Sequence, residues 1–276
     1  MRLGISSYSY TWAVGVPGHM PDSPLTAFDL VRLAAQSDLS VVQIADNCPL
    51  HVLSASELNE LRDLATRSGV HLEVGMRGLF PDLVDAHLEI AKKLSSDILR
   101  VVIDAQGFEP DLNSVISHIR SIVPSLKHSG IRLAIENHDR FLSHDFVRMI
   151  TETDPEWVGI CLDSVNSMGA GEGVNEVVRT LAPHTINLHL KEFTVRRVHH
   201  KMGFVVEGLP AGKGLLNIPR MVSDIAQYGN CRSAILELWT PPEKTLAETI
   251  RKEGEWVASS LAYLKGSGLF TYRQGT

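Results

Sequence analysis

Eight short apolar runs alternate with eight amphipathic stretches along the 276 residues of this chain. The runs fall at residues 3–6, 41–44, 71–74, 98–103, 132–136, 157–162, 185–189 and 233–238, and each reads as a short buried strand. The stretches between and after them, at 25–36, 55–68, 83–94, 113–128, 146–152, 174–181, 218–228 and 243–264, place apolar residues at helical spacing. Gly69, Gly130 and Gly229 each stand where a helix ends and the next strand begins. Strands that alternate with helices imply βαβ units and a parallel sheet. Eight repeats predict a closed (β/α)8 TIM barrel in a single domain spanning residues 1–276, a fold that typically takes about 250 residues. No GxGxxG or P-loop glycine pattern follows the first strand, which argues against an open nucleotide-binding sheet.

Two connections are long enough to expect function from them: about 11–24 after the first strand and about 193–216 after the seventh. Both follow strands, so both belong to the carboxyl-end face of the barrel, where active sites are built. Both are expected to be irregular.

The formal charge of −6 gives no steering toward nucleic acid or an anionic membrane, so neither is an expected partner. No run approaches the roughly 18 apolar residues of a membrane span. Cys48, Cys161 and Cys231 are widely separated and odd in number, with no CxxC or zinc-finger spacing. Reduced thiols and no apolar leader at the start of the chain make the expected location cytoplasmic. The apolar stretch 268–272 offers a strip to a second copy, which makes a homodimer one expected assembly.

Four ionisable residues close four successive runs: Glu136 after Leu133-Ala134-Ile135, Asp163 after Ile160-Cys161-Leu162, His189 after Ile186-Asn187-Leu188 and Glu237 after Ala234-Ile235-Leu236. A charge at the end of a buried strand is costly unless something pairs with it. The gaps between these residues are 27, 26 and 48, the first two each one βα repeat and the third containing the long connection. Side chains at one depth on neighbouring barrel strands can ring one cation. Three carboxylates and an imidazole suit Mn²⁺ first, then Mg²⁺ or Co²⁺, and admit Zn²⁺ or Fe²⁺. Period-2 geometry sends His138, Lys191 and Trp239 to the same side as Glu136, His189 and Glu237, one step nearer the mouth.

The segments Ile135-Glu136-Asn137-His138, Leu162-Asp163-Ser164-Val165-Asn166, His189-Leu190-Lys191-Glu192 and Leu236-Glu237 resemble the four strand-end motifs of the xylose-isomerase-like sugar isomerase/epimerase family. Pro210-Ala211-Gly212-Lys213-Gly214 is similar to that family's glycine turn before the seventh helix. The resemblance spans nearly the whole chain and is sharpest between Ile131 and Trp239. It implies a TIM barrel with one divalent ion on Glu136, Asp163, His189 and Glu237. It also implies that Glu136 and Glu237 serve as acid and base while Asp163 and His189 are ligands alone. Three positions depart from the ketose 3-epimerase pattern: Asn166 replaces a His, Glu192 replaces an Asp, and Val195 stands where an Arg is usual, with Arg196 and Arg197 after it.

The expected activity is metal-dependent isomerisation or epimerisation of a sugar or keto-sugar. A metal stabilises the enediolate and a carboxylate moves the proton. Two carboxylates on different walls fit epimerisation, and one shuttling base fits isomerisation. Candidates for substrate contact are His138, Asn166, Lys191, Arg196, Glu73 and Trp12, with Tyr8 beside Trp12 as a further stacking surface. The first alternative is a dehydratase of a keto-cyclitol or keto-acid on the same barrel. An apurinic-site endonuclease-like hydrolase would need three ions, and a non-catalytic sugar-binding barrel would need none.

Overall fold

Eight strands pair in parallel and close on themselves in this computed structural model, which describes residues 1–273. They are β1 (Arg2–Ser6), β2 (Val41–Ile44), β3 (His71–Arg77), β4 (Ile98–Val102), β5 (Arg132–Glu136), β6 (Val158–Asp163), β7 (Thr185–Leu190) and β10 (Ser233–Leu236). β1 pairs with β2 on one side and with β10 on the other, Gly4 facing Val41 and Ile235, and that double pairing closes the ring. The molecule is a (β/α)8 TIM barrel.

Helices cover the outside: α2 (Ala27–Gln36), α3 (Ala55–Arg67), α4 (Pro81–Lys93), α5 (Leu112–Ser129), α6 (Ser143–Thr151), α7 (Val174–Leu181), α8 (Ile218–Ala226) and α9 (Leu246–Gly266). Local chemistry sets their ends. Thr26 with Asp29, Ser54 with Glu57 and Thr245 with Glu248 form capping boxes, each satisfying otherwise orphaned amides. Gly130 closes α5 in the left-handed region at φ 70°, and Gly69 and Gly229 adopt the same sign of φ.

Strand parity separates two environments. Leu133, Ile135, Leu72, Val74, Leu99 and Val101 point outward into one large apolar layer against the helices. The inward set is small. At the amino-end of the barrel Ile98, Ala134, Cys161 and Ile186 form an apolar plug. Above the plug the interior turns polar: Gln43, Glu73, Arg100, Asn187 and Ser233 are buried, and Glu136, Asp163, His189 and Glu237 follow one step higher.

Two expectations need correction. The connection after β7 is not irregular: β8 (Glu192–Arg197) and β9 (Phe204–Leu209) form an antiparallel hairpin beside the mouth. Alternating Thr194, Arg196 and Val205, Glu207 supply the strand pattern, but the basic run 196–201 masks it. The connection after β1 begins with a 3-10 turn at Ser7–Tyr10 and a single-turn helix, α1 (Thr11–Val14). In the apolar stretch 268–272 Phe270 is buried, Thr271 N–H donates to Met1 O at 2.9 Å, and Leu3 N–H donates to Thr271 O at 2.9 Å, so this part of the chain runs beside the start of β1.

Candidate metal centre and active site

Glu136 ends β5, Asp163 ends β6, His189 lies within β7 and Glu237 directly follows β10. The parallel register brings them to one level, Asp163 facing His189 and Glu136 facing Cys161 one residue pair away. All four are at most 1% exposed. His189 Nδ1 lies 3.3 Å from Glu136 Oε2, 3.5 Å from Glu237 Oε1 and 3.9 Å from Asp163 Oδ2. Donors that share one ion at ~2.1 Å stand roughly 3–4.2 Å apart, from adjacent to opposite positions, so the spacing suits a shared cation.

The protonation of His189 sharpens the fit. Its Nε2 faces the carbonyl oxygen of Gln43 at 2.7 Å, an acceptor, so Nε2 carries the proton. Nδ1 therefore presents a bare lone pair to three carboxylates and has no hydrogen-bond partner. Asp163 Oδ2 and Glu237 Oε2 also lack a geometrically sound hydrogen bond, although both lie 2.9 Å from the ammonium of Lys191. A lone pair aimed at anions inside a barrel is unfavourable without a cation between them. One divalent ion on Glu136, Asp163, His189 and Glu237 fits these donors. Cys161 lies near enough to be considered, but its thiol donates to Asn187 Oδ1 at 3.1 Å. Burial and the neighbouring Glu136 push that thiol far above its ordinary range, so it stays protonated under the centre.

Each carboxylate is already braced. Arg100 Nε donates to Glu136 Oε2 at 2.5 Å, and Asn166 Nδ2 donates to Glu136 Oε1 at 2.8 Å. Burial opposes ionisation of Glu136, but Arg100 chiefly, with Lys191, holds its carboxyl below the usual range. Ser6 Oγ donates to Glu237 Oε1 at 2.8 Å. Burial again opposes ionisation of Glu237, while Lys191 and Arg100 help to hold its carboxyl below the usual range. Asp163 Oδ1 accepts the backbone N–H of Val165 and of Asn166, both at 2.9 Å. Despite its burial, Lys191 is pushed above the ordinary lysine range by Asp163, Glu237 and Glu136.

Above this floor opens a cavity of about 930 Å³, walled by Tyr8, Trp12, Arg77, His138, Asn166 and Trp239 among others. Lys191, His138, Asn166 and Trp12, the expected substrate contacts, line this cavity, although the Asn166 amide is engaged with Glu136. Trp12 is fixed by its indole N–H, which donates to Thr240 O at 2.9 Å. Its backbone N–H and that of Ala13 donate to the buried carboxylate of Glu253 on α9, each at 3.0 Å. Two expected contacts are not brought to the cavity. Arg196 is exposed on the hairpin and does not line the cavity, although it pairs at 2.6 Å with Glu207, which does. Glu73 is fully buried one layer below the carboxylates, bonded to Gln43, Asn187 and Ser233.

Sequence reasoning missed several members. Arg100 is 2% exposed, and its Nη1 also donates to Asp46 Oδ1 at 3.1 Å. Asp46 is shared with Arg77 Nε at 3.1 Å and the Tyr8 hydroxyl at 3.0 Å. Burial first, and Asp46 second, push the Tyr8 phenol up to about 12. A readable signal existed for Arg100, and for Gln43 beside His189: both are polar residues in the middle of apolar strand runs. Glu192, which departs from the family's usual Asp, organises the glycine turn. Its carboxylate accepts the N–H groups of Gly212 and Leu216 at 3.1 and 2.9 Å. Gly214 sits so close to Phe193 O and Glu192 that a Cβ there would collide with backbone.

Residues 31–265 match the family model described as xylose isomerase-like TIM barrel. A curated relative, 3-oxo-isoapionate decarboxylase of Pectobacterium atrosepticum, is 30% identical over 264 residues, covering 96% of this chain and 95% of its own. D-psicose 3-epimerase of Clostridium cellulolyticum superimposes with a TM-score of 0.73 at 16% identity, covering 97% and 98% of the two chains. A xylose isomerase-like TIM barrel protein of Mycobacterium smegmatis, crystallised in complex with magnesium, gives a TM-score of 0.67 at 16% identity over 95% and 97%. This chain belongs to the xylose isomerase-like TIM barrel family.

Proposed function

We propose that the chain is a divalent-metal-dependent enzyme that decarboxylates a small carbohydrate-derived 3-keto acid. The observation that carries this reading is the state of the two candidate bases. A general base needs an open lone pair and a pKa near the working pH. Glu136 is clamped by Arg100 at 2.5 Å and by Asn166, and Glu237 is held by Ser6 and lies 2.9 Å from Lys191. Both are acidic carboxylates facing cations, poorly suited to pulling a proton from carbon. Loss of CO₂ from a 3-keto acid needs no base: the electrons of the breaking C–C bond form the enolate.

The expected ion, Mn²⁺ or a close substitute such as Mg²⁺, would be held by Glu136, Asp163, His189 and Glu237 and supply a Lewis acid for the enolate oxygen. Lys191 keeps its proton at neutral pH and lies on the cavity floor, so its ammonium is assigned to protonate the vacated carbon and to be reprotonated from water. Arg77 has only its Nε committed to Asp46, which leaves its terminal nitrogens for a substrate oxyanion. Trp12 and Trp239 give the faces on which a sugar-like skeleton packs. The near-full-length likeness to a decarboxylase supports the same chemistry.

Epimerisation or isomerisation, the expectation from sequence, remains the second reading on one observation: Glu136 and Glu237 approach His189 Nδ1 from different strands, as a two-base site would need. The test is to strip the protein of metal, add Mn²⁺, and supply 3-keto sugar acids and simple ketoses in D₂O. The proposal expects CO₂ from the keto acids only, with one deuterium entering the product at the vacated carbon. Deuterium exchange into ketoses without CO₂ would replace it with the proton-transfer reading. Loss of water from the substrate would replace it with dehydration.

A further inference from the structure

The polar layer below the centre contains a carboxylate that touches neither the cavity nor any of the four candidate ligands. Gln43, Glu73, Asn187 and Ser233 are each wholly buried. Glu73 Oε2 accepts from Gln43 Nε2 at 3.1 Å and from Asn187 Nδ2 at 3.0 Å, while Glu73 Oε1 accepts from Ser233 Oγ at 2.5 Å. A carboxylate is costly to bury even when fully bonded, and an apolar side chain would fill the same space. Its position in the network gives it a use.

A carboxylate only accepts hydrogen bonds. It therefore obliges Gln43 to turn its NH₂ group inward, toward Glu73 and toward Asn187 Oδ1 at 3.1 Å. Asn187 is oriented in the same way, its NH₂ given to Glu73 and to Ser233 Oγ at 2.8 Å and its oxygen also accepting the thiol of Cys161. With its NH₂ so placed, Gln43 has only its oxygen left for His189, at 2.7 Å from Nε2. That oxygen fixes the imidazole proton on Nε2 and leaves the lone pair on Nδ1, the nitrogen facing Glu136, Asp163 and Glu237. The opposite tautomer would point an N–H at the carboxylates and close His189 to a metal.

We propose that Glu73 is a positioning residue for the metal centre: acting through the Gln43 amide, it holds His189 in the Nε2–H tautomer that opens Nδ1 to the ion. The inference rests on the metal-centre reading, not on the reaction assigned to it. Partners one step beyond a ligand commonly orient it in this way.

The experiment uses two readouts on the full chain. In metal-free protein labelled with ¹⁵N in its histidines, long-range ¹H–¹⁵N correlation reports which nitrogen of His189 carries the proton, with His189→Gln to assign the signal. Competition against a chelator then gives the Mn²⁺ affinity. Wild type is expected in the Nε2–H form. Glu73→Met and Gln43→Leu are each expected to mix the tautomers and weaken Mn²⁺ binding about 10–100-fold. Glu73→Gln is expected to restore both, since its carbonyl can accept from Gln43 and Asn187 while its NH₂ donates to Ser233 Oγ. If Glu73→Met does not fold, Gln43→Leu and Glu73→Gln carry the comparison. An unchanged tautomer and wild-type affinity in Gln43→Leu would overturn the proposal. A wild type in the Nε2–H form that binds no Mn²⁺ would reject the metal reading while leaving the orientation of His189 as inferred.

Discussion

Replacing Arg100 by Met tests the electrostatic design most severely. The guanidinium is buried among Glu136, Asp46 and the carbonyl of Met76. Burial disfavours its charge, but Glu136, Asp46 and Glu237 outweigh that and raise its pKa well above the usual arginine range. Methionine fills much of the same volume and removes the charge. Glu136, which is 1% exposed, then loses a cation it cannot replace with water, while the partly exposed Asp46 keeps Arg77; removing one partner of a buried pair costs about 3–5 kcal/mol. Glu136 is also a candidate metal ligand, so a divalent ion would neutralise part of what Arg100 no longer does. The Arg100→Met deficit should therefore be about 3–5 kcal/mol in EDTA and smaller by ~1 kcal/mol or more in saturating Mn²⁺. Urea unfolding followed by far-UV circular dichroism in the two buffers measures both. A deficit below ~1 kcal/mol in EDTA, or one that Mn²⁺ leaves unchanged, would refute the reasoning, because it would mean that Arg100 and a metal do not share Glu136.

Lys191→Met should keep Mn²⁺ binding, since the ammonium competes with the ion for Asp163 and Glu237, while turnover falls roughly 100-fold or more for want of the proton donor; steady-state kinetics beside chelator competition will separate the two, and a loss under about tenfold would remove Lys191 from the role. Glu253 is pushed up to about 7, chiefly by burial, despite the backbone N–H groups of Trp12, Ala13 and Thr11. A raised carboxyl pKa favours folding below the unfolded value and loses that contribution as pH rises through about 7, so relative to Glu253→Gln the wild type should lose up to ~3 kcal/mol between pH 4.5 and 8. Urea melts of both proteins at pH 5 and pH 8 check the sign, and a pH-independent difference would contradict it. Arg196→Ala should change kcat/KM by less than about threefold, because this exposed side chain does not itself line the cavity and its surface pair with Glu207 is weak.

The barrel was legible because its determinants are local: short apolar runs, helical periodicity between them, and glycines such as Gly130 at the joints. His189 and the three carboxylates around its Nδ1 were legible for a related reason. In parallel strands of similar length, equivalent sequence positions end at equivalent depth. What stayed hidden depends on partners distant in sequence. Arg100 and Glu136 are 36 residues apart and His189 and Gln43 are 146 apart, so neither pairing leaves a local trace. Glu73 was expected at the cavity because the third run reads as ending near residue 74. β3 in fact continues to Arg77, which lowers Glu73 into the polar layer and lifts Arg77 to the mouth. Arg196 was drawn toward the substrate by its basic neighbours, but on the hairpin it is exposed and turned to Glu207.

The central claim is that one divalent ion binds where His189 Nδ1 meets Glu136, Asp163 and Glu237. Pulsed electron paramagnetic resonance on the protein titrated with Mn²⁺ tests it directly. The account predicts one Mn²⁺ per chain with a single directly coordinated imidazole nitrogen, and loss of that ¹⁴N coupling in His189→Gln. Three ions per chain, or one ion with no histidine coupling, would contradict it.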